Sequence, residues 1–497
     1  MVYTSSDETA SPILAAGSPF RRQVKIVATL GPAVSEPDDL AAIIDTGVDV
    51  ARVNCAHGTV EGRARQIELV REIAESRRRN IPILLDLQGL KIRTGPLAGP
   101  EPAMLARGSK VRVYPEPVVS TREQLGVTYP GLLDAVRPES RILLADGLIE
   151  LVVEEIEDDH VVCGVGRGGP LAARQGVTLP NVRLQNASLT DQDRIDVQFA
   201  ADKRVEFLGL SFISSAADIV VARDYARSLG ATPGIVAKIE RPAALDDMDA
   251  IVRTADAVMV ARGDMGVQLP LERVPLVQKE IIAACNRAGT PVITATQMLE
   301  SMIMQPVPTR AEASDVANAV LDGADAVMLS AETATGRNPV AAVEMMGRII
   351  REVERHGPIR SPAVSQILPA TDPEQIITDA LGRAAREMTD AAPIDCIVVF
   401  TLSGASARLV AKFRPGVLVI AITPDPYVAR KLSLVWGVRA IVSPIIDEIN
   451  ALFASAGRQI VEAGYANAGD EALFVGSVPI YHVSGRTNLL HVRTLDD

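Results

Sequence analysis

Eight short apolar runs recur in the first two-thirds of the chain, beginning near residues 24, 48, 82, 206, 234, 256, 291 and 325: VKIVATLG, VDVARVNC, PILLDLQG, EFLGLSFI, GIVAKIE, DAVMVARGD, PVITATQ and DAVMLSAET. Most are rich in valine and isoleucine and lack polar alternation, the pattern of parallel strands covered on both faces. Segments of helical period such as LERVPLVQKEIIAACNRAG fill the gaps. Eight strand-and-helix alternations predict a (β/α)8 TIM barrel within an α/β fold.

One gap, between PILLDLQG and EFLGLSFI, is too long for a single helix. Its turn-punctuated pieces KVRVYPEPVV, RILLADGLIELVVEEI and HVVCGVGRGG predict a small β-barrel domain inserted at the top of the third strand, where a lid would sit. Beyond RSPAVSQILPATDP, a linker by composition, αβ alternation returns with IDCIVVFTLSG, VLVIAITP and RAIVSPII, which predicts an open parallel sheet. The expected divisions are a disordered leader over 1–20, a barrel over 21–94 plus 182–355, a lid over 95–181, a linker over 356–370 and a C-terminal αβ regulatory domain over 371–497. REIAESRRRN and RPAALDDMDAIVRTADA both read as helices with solvated charged faces.

Charge narrows the function. A net charge of −12 and a pI near 5.1 argue against nonspecific binding to nucleic acid or anionic membrane, so an anionic ligand must meet a local cluster of cations. No run reaches the ~18 apolar residues of a membrane helix. Cys55, Cys163, Cys285 and Cys396 are widely spaced without a CxxC pair, which predicts reduced thiols in a cytoplasmic protein.

Barrel enzymes draw their catalytic groups from the C-terminal ends of the strands. Those ends carry Arg52, Asn54 and His57 after strand two, and Asp86, Lys91 and Arg93 after strand three. Lys238 and Glu240 end strand five, and Arg262, Gly263 and Asp264 end strand six. Thr294 and Thr296 follow at strand seven, and Ser330, Glu332 and Thr333 at strand eight. Glu240 and Asp264 suit a hard divalent cation that keeps several waters, or else form salt-bridged rim pairs. Lys238, two residues before Glu240, projects to the same face, so a cation beside a metal implies an anion shared between them. The turn ARGDMG leads into a short helix whose Gly263 and Asp264 amides could accept a carboxylate or phosphate, and Arg52 and Arg93 could bind phosphate bidentately.

VKIVATLGPA, ARVNCAHG, LLDLQGLKIRTG, AKIE, VMVARGDMGV, ITATQMLESM, PTRAEASDVANAVLDGADAVMLSAETATGRNP and SGRTN together resemble the pyruvate kinase family over nearly the whole chain. The resemblance implies transfer of a phosphoryl group from phosphoenolpyruvate to ADP, giving pyruvate and ATP, with Mg²⁺ or Mn²⁺. By the family's motifs, Arg52 and Lys238 hold the transferred phosphoryl group and Lys238 also steadies the enolate. Glu240 and Asp264 are the metal ligands. Gly263, Asp264 and Thr296 hold the substrate carboxylate, and Thr296 helps organise the waters that protonate the enolate. Thr29, Pro32, Asn54, His57 and Arg93 face the nucleotide. The resemblance also implies a homotetramer with an allosteric effector.

Departures from the family pattern fall together. Ala56 and Leu87 stand where a serine and a threonine help hold a monovalent cation, Gln88 stands for a lysine, and Lys91 stands for a glutamate. Two oxygen-bearing side chains are gone and an ammonium has arrived. Lys91, beside Asp86, therefore reads as a built-in substitute for K⁺, as in the potassium-independent branch; the alternative is a plain Lys91–Asp86 bridge. Gln175 replaces a lid lysine, Leu90 a proline, Arg241 an asparagine and Cys55 a phenylalanine.

In the third domain, FTLSGASARLVAKF places Thr401, Ser403, Gly404 and Ser406 at a helix N-terminus, either an anion nest for a phosphorylated effector or a capping turn. Trp436 reads as packing. Two other functions stay open on residues alone: another Mg²⁺ barrel acting on phosphoenolpyruvate or an oxoacid, and a metabolite-sensing paralogue without catalysis.

Overall fold

Each of the eight apolar runs forms a strand: Lys25–Thr29, Val50–Asn54, Ile83–Asp86, Phe207–Leu210, Gly234–Ile239, Ala257–Ala261, Val292–Ala295 and Ala326–Leu329. All pair in parallel, and Lys25 opposite Ala326 closes the first strand on the eighth. This is a computed structural model that describes residues 22–180, 182, 189–356, 373–477 and 487–496. The leader expected over 1–20 and nearly all of the linker expected over 356–370 lie outside the described residues.

Polar motif residues explain several helix starts. In PTRAEASDVANA, Thr309 accepts from the amide of Glu312 while the Glu312 carboxylate accepts from the amide of Thr309, so the helix Arg310–Asp322 opens with a capping box. The same carboxylate accepts from the Ser301 amide at 2.7 Å, tying the loop after the seventh strand to this helix. The segment RPAALDDMDAIVRTADA differs from the single helix expected. It breaks into Pro242–Asp246 and Met248–Thr254, with Asp247 between them accepting from the Ala216 amide at 2.7 Å. This tertiary bond, to an amide 31 residues away, outweighs helical continuity there.

Between the third and fourth barrel strands lies the inserted β domain. A six-stranded, largely antiparallel sheet and a two-stranded sheet enclose an apolar core of their own that includes Val113, Leu125, Ile142, Leu151 and Val165. Its hairpin turn at Ala145–Gly147 reaches the helix Arg262–Gln268, where a side chain at Gly147 would touch Val267.

The third domain is a five-stranded sheet in the order Val438–Val442, Leu418–Thr423, Cys396–Phe400, Glu471–Gly476, Leu489–Thr494. Four strands are parallel, as expected. The last is antiparallel, a departure: it pairs Glu471 with Thr494. An antiparallel edge strand needs no crossover helix.

This domain docks on the barrel's lower face through buried ion pairs. Arg414 meets Asp325 at 3.0 Å, Arg430 meets Glu206 at 2.7 Å and Arg439 meets Asp49 at 3.3 Å. The other oxygen of each carboxylate accepts a backbone amide: Val292 to Asp325, Ile83 to Glu206 and Ile26 to Asp49. One carboxylate thus fixes a barrel strand and a partner domain at once. Trp436 is buried under the Arg414 guanidinium, consistent with packing. We predict that Arg414→Met, which strands the buried Asp325 charge, lowers stability by about 3–5 kcal/mol in urea unfolding.

Candidate active site

The upper rim centres on Asp86, buried at the end of the third strand. Its Oδ2 accepts from Arg52 Nε at 3.0 Å and from Arg52 Nη2, and its Oδ1 lies 3.3 Å from Lys238 Nζ. Gly209 on the fourth strand makes room for this carboxylate: a Cβ there would stand 2.9 Å from Oδ1. Arg52 Nη1 donates to Thr29 Oγ1 at 2.8 Å, and Thr29 Oγ1 donates to the Leu329 carbonyl. Thr29 is buried and so orients Arg52 in this structure, while Pro32 opens a single turn over Pro32–Val34. Three of the five guanidinium N–H groups of Arg52 are used, which leaves two for a ligand.

Lys238 extends the cluster. Its ammonium lies 2.9 Å from Glu240 Oε1 and donates to Ser211 Oγ at 2.7 Å, which donates onward to the Leu87 carbonyl. Burial disfavours the ammonium, but Asp86 and Glu240 outweigh it and raise the Lys238 pKa. For Asp86, burial pushes upward, but Lys238 and Arg52 bring the carboxyl below its usual range. The Lys238 ammonium is therefore held charged before any ligand arrives.

Glu240 is fully buried. Its Oε2 accepts from the Phe212 amide at 2.7 Å, whereas Oε1, despite its nearness to Lys238, receives no hydrogen bond of acceptable geometry. Burial pushes this carboxyl up to about 7, with Asp264 adding to the rise and Lys238 opposing it. A buried carboxylate oxygen that takes no backbone amide, with a second acid nearby on the exposed rim, fits a divalent cation. Among the described residues no group of three acids, histidines or cysteines converges, so Glu240 and Asp264 could hold a metal only together with substrate oxygens and water.

The expected short helix after the sixth strand runs over Arg262–Gln268. Arg262 points away from the rim centre, to Asp315 and to the Thr296 carbonyl at 2.6 Å. Thr296 and Gln297 both have left-handed backbone, φ +66° and +53°, a strain of about 1–3 kcal/mol each that clusters at functional sites. This turn brings Thr296 Oγ1 within 2.8 Å of the Gly263 amide, whose proton it accepts. Thr294 and Ser330 differ from Thr296: their hydroxyls are buried and lack hydrogen-bond partners. Glu332 and Thr333 are structural stitches, Glu332 accepting from the Leu299 and Ser330 amides and Thr333 donating to the Thr29 carbonyl.

The other expected positions spread around the mouth. Asn54 accepts from the Ala56 amide, and His57 is exposed just beyond. Arg93 lies where chain passes into the lid and donates to the Arg174 carbonyl at 3.2 Å. Gln175 turns to its own loop, accepting from the Ala172 amide. Lys91 does not bridge to Asp86, whose oxygens face Arg52 and Lys238. It is exposed instead in a cleft between rim and lid lined also by Asp146, Arg241 and Asp264. Asp146 and Asp264 continue into an adjoining cleft with Arg262, Gly263 and Gln297. In the third domain, the Gly404 amide donates to Thr401 Oγ1 at 2.9 Å and Ser406 Oγ accepts from Thr487 at 3.1 Å, while Ser403 is exposed.

Three contributors were missed in the sequence. Ser211 and Phe212 follow the fourth strand, whose end was passed over although the strand-end rule applies to it equally. Asp193 Oδ1 accepts from the Gly89 amide at 3.0 Å, steadying the loop that carries Lys91; a long-range bond of this kind leaves no local sequence signal.

Residues 21–343 match the family model for the pyruvate kinase barrel domain, and residues 379–493 match that for the pyruvate kinase alpha/beta domain. The chain belongs to the pyruvate kinase family. A pyruvate kinase of Agrobacterium vitis is 42% identical over 95% of this chain and 96% of its own. One from Geobacillus stearothermophilus is 39% identical, covering 96% of this chain and 81% of its own. A crystal structure of a pyruvate kinase from Cryptosporidium parvum superposes with a TM-score of 0.90 at 34% identity, covering 97% of this chain and 98% of that one. The Glu240–Asp264 acid pair and the Arg52–Lys238 cation pair thus sit in a pyruvate kinase phosphotransferase.

A metal held by Glu240 would compete with a proton there, which sets the sign of one pH effect. With the carboxyl pushed up to about 7, Mn²⁺ affinity of the free protein should fall as pH drops through that value, approaching tenfold per pH unit, and level off above it. Titrating Mn²⁺ by electron paramagnetic resonance between pH 5.5 and 8.5 measures this, and Glu240→Gln should abolish the dependence.

Proposed function

We propose that this chain moves the phosphoryl group of phosphoenolpyruvate to ADP through residues on this rim, carried chiefly by the Asp86-centred cluster of Arg52 and Lys238 beside Glu240. Phosphoryl transfer asks mainly for positioning and charge neutralisation, and here two cations are already oriented by one buried carboxylate. Arg52, with two N–H groups to spare, and Lys238 bind the phosphoryl oxygens. A β-phosphate oxygen of ADP bonds to phosphorus as the bond from phosphorus to the enol oxygen breaks. Lys238 then steadies the enolate oxygen while the enolate carbon takes a proton by way of water organised at Thr296.

Glu240 and Asp264 would hold Mg²⁺ or Mn²⁺, which would supply charge neutralisation to the phosphoryl and enolate oxygens when bound. The substrate carboxylate takes the Gly263 and Asp264 amides. The Thr296 hydroxyl occupies the Gly263 amide in the ligand-free chain and so keeps that donor satisfied until substrate arrives. Asn54, His57 and Arg93, with Thr29 and Pro32 behind them, face the nucleotide.

Lys91 supplies in covalent form the charge that K⁺ brings elsewhere in the family. Two observations support this: Asp86 is saturated by Arg52 and Lys238, and the exposed Lys91 shares its cleft with Asp264. In the third domain, Thr401, Ser403, Gly404 and Ser406 receive a phosphorylated effector. Exposed Leu271, Leu276, Met304 and Val307 on the barrel supply apolar area for assembly into a homotetramer, through which lid closure and subunit rotation carry regulation. No helix among the described residues is long and apolar enough to cross a membrane, in keeping with a cytoplasmic place.

The test is the initial rate of pyruvate formation from phosphoenolpyruvate and ADP with Mg²⁺, in potassium-free buffer and in KCl at matched ionic strength. Comparable rates are expected. Lys238→Met should lower kcat by at least about a hundredfold. Lys91→Glu combined with Ala56→Ser and Leu87→Thr should create a K⁺ requirement, and a wild-type rate that depends strongly on KCl would remove this account of Lys91.

A further inference from the structure

Arg241 follows Glu240 directly and stands where the family pattern has asparagine, yet none of the steps above uses it. It precedes the helix Pro242–Asp246 in extended backbone, and its guanidinium lies over the Phe212 ring, 5.0 Å from the centroid. Phe212 is itself unusual. Its φ of +58° is a left-handed conformation that a bulky side chain rarely adopts. That conformation has a use, because it accompanies the 2.7 Å bond from the Phe212 amide to Glu240 Oε2. The ring is also close to Gly89, where a Cβ would come within 3.2 Å of Phe212 Cδ2.

We infer that Arg241 is a positioning residue for the metal site: its stack on Phe212 holds the left-handed turn that aims the Phe212 amide at Glu240. The amide fixes Oε2, which leaves Oε1 turned toward Lys238. The inference rests on the assignment of Glu240 as a metal ligand. Positioning and simple electrostatics predict opposite results on removal of the guanidinium. A positive charge next to a metal site repels the metal, so its loss alone should tighten binding. Loss of a positioning contact should weaken it.

The experiment is Mn²⁺ titration of the whole chain by electron paramagnetic resonance, at one pH near 8, with thermal melting as the check on folding. Arg241→Asn and Phe212→Leu are each expected to raise the Mn²⁺ dissociation constant about threefold to thirtyfold, the range of a desolvated cation–π contact. The double variant should be little worse than either single one, since both remove the same contact. Arg241→Lys, which keeps the charge and loses the planar stack, should fall between wild type and Arg241→Asn. Unchanged or tighter Mn²⁺ binding in Arg241→Asn, or strict additivity in the double variant, would overturn the inference. Glu240→Gln with wild-type Mn²⁺ affinity would instead overturn the metal assignment beneath it.

Discussion

The pairing of the first barrel strand with the eighth is the constraint on which the rest of the molecule depends. Until Lys25 lies opposite Ala326, the strand ends face different directions and Thr29 cannot reach the Leu329 carbonyl. Once the ring closes, all eight strand ends deliver polar groups to one small rim. Asp86 can then hold Arg52 from one neighbouring strand and Lys238 from two strands away. The cost of burying these charges is offset only because each is paired when the ring is complete.

The two ends of the barrel treat buried carboxylates differently. Below, Asp49, Glu206 and Asp325 each have an amide on one oxygen and an arginine on the other. Above, Asp86 Oδ1 and Glu240 Oε1 take no backbone amide and face only the Lys238 ammonium, at 3.3 and 2.9 Å. The lower acids are closed by backbone and arginine together, whereas each of the upper ones keeps one oxygen clear of backbone donors. That asymmetry separates scaffold from site more clearly than residue type does, since both ends use aspartate, glutamate and arginine.

Much of the fold was legible because burial on both faces imposes continuous apolar runs, and all eight barrel strands were found from them. The antiparallel strand Leu489–Thr494 escaped because an edge strand is half exposed and carries His491 and Arg493. The RPAALDDMDA break escaped because it is decided by an amide 31 residues away, at Ala216. At the site, identities were readable wherever a motif ended a strand, as with Lys238, Glu240 and Asp264. What could not be read was partnership. Lys91 and Asp86 are near in sequence, yet Asp86 is taken by residues from other strands, and only the closed ring decides that.

The three arginines on the lower face give the C-terminal domain a further property, that of a part which is not interchangeable. Arg414, Arg430 and Arg439 complete carboxylates that also hold the beginnings of barrel strands. A chimera that grafts another C-terminal domain onto this barrel would therefore inherit three buried acids made for these arginines. The seam between the barrel and the C-terminal domain is a lock whose pins belong to one half and whose key belongs to the other, and the two halves must be exchanged as a matched set.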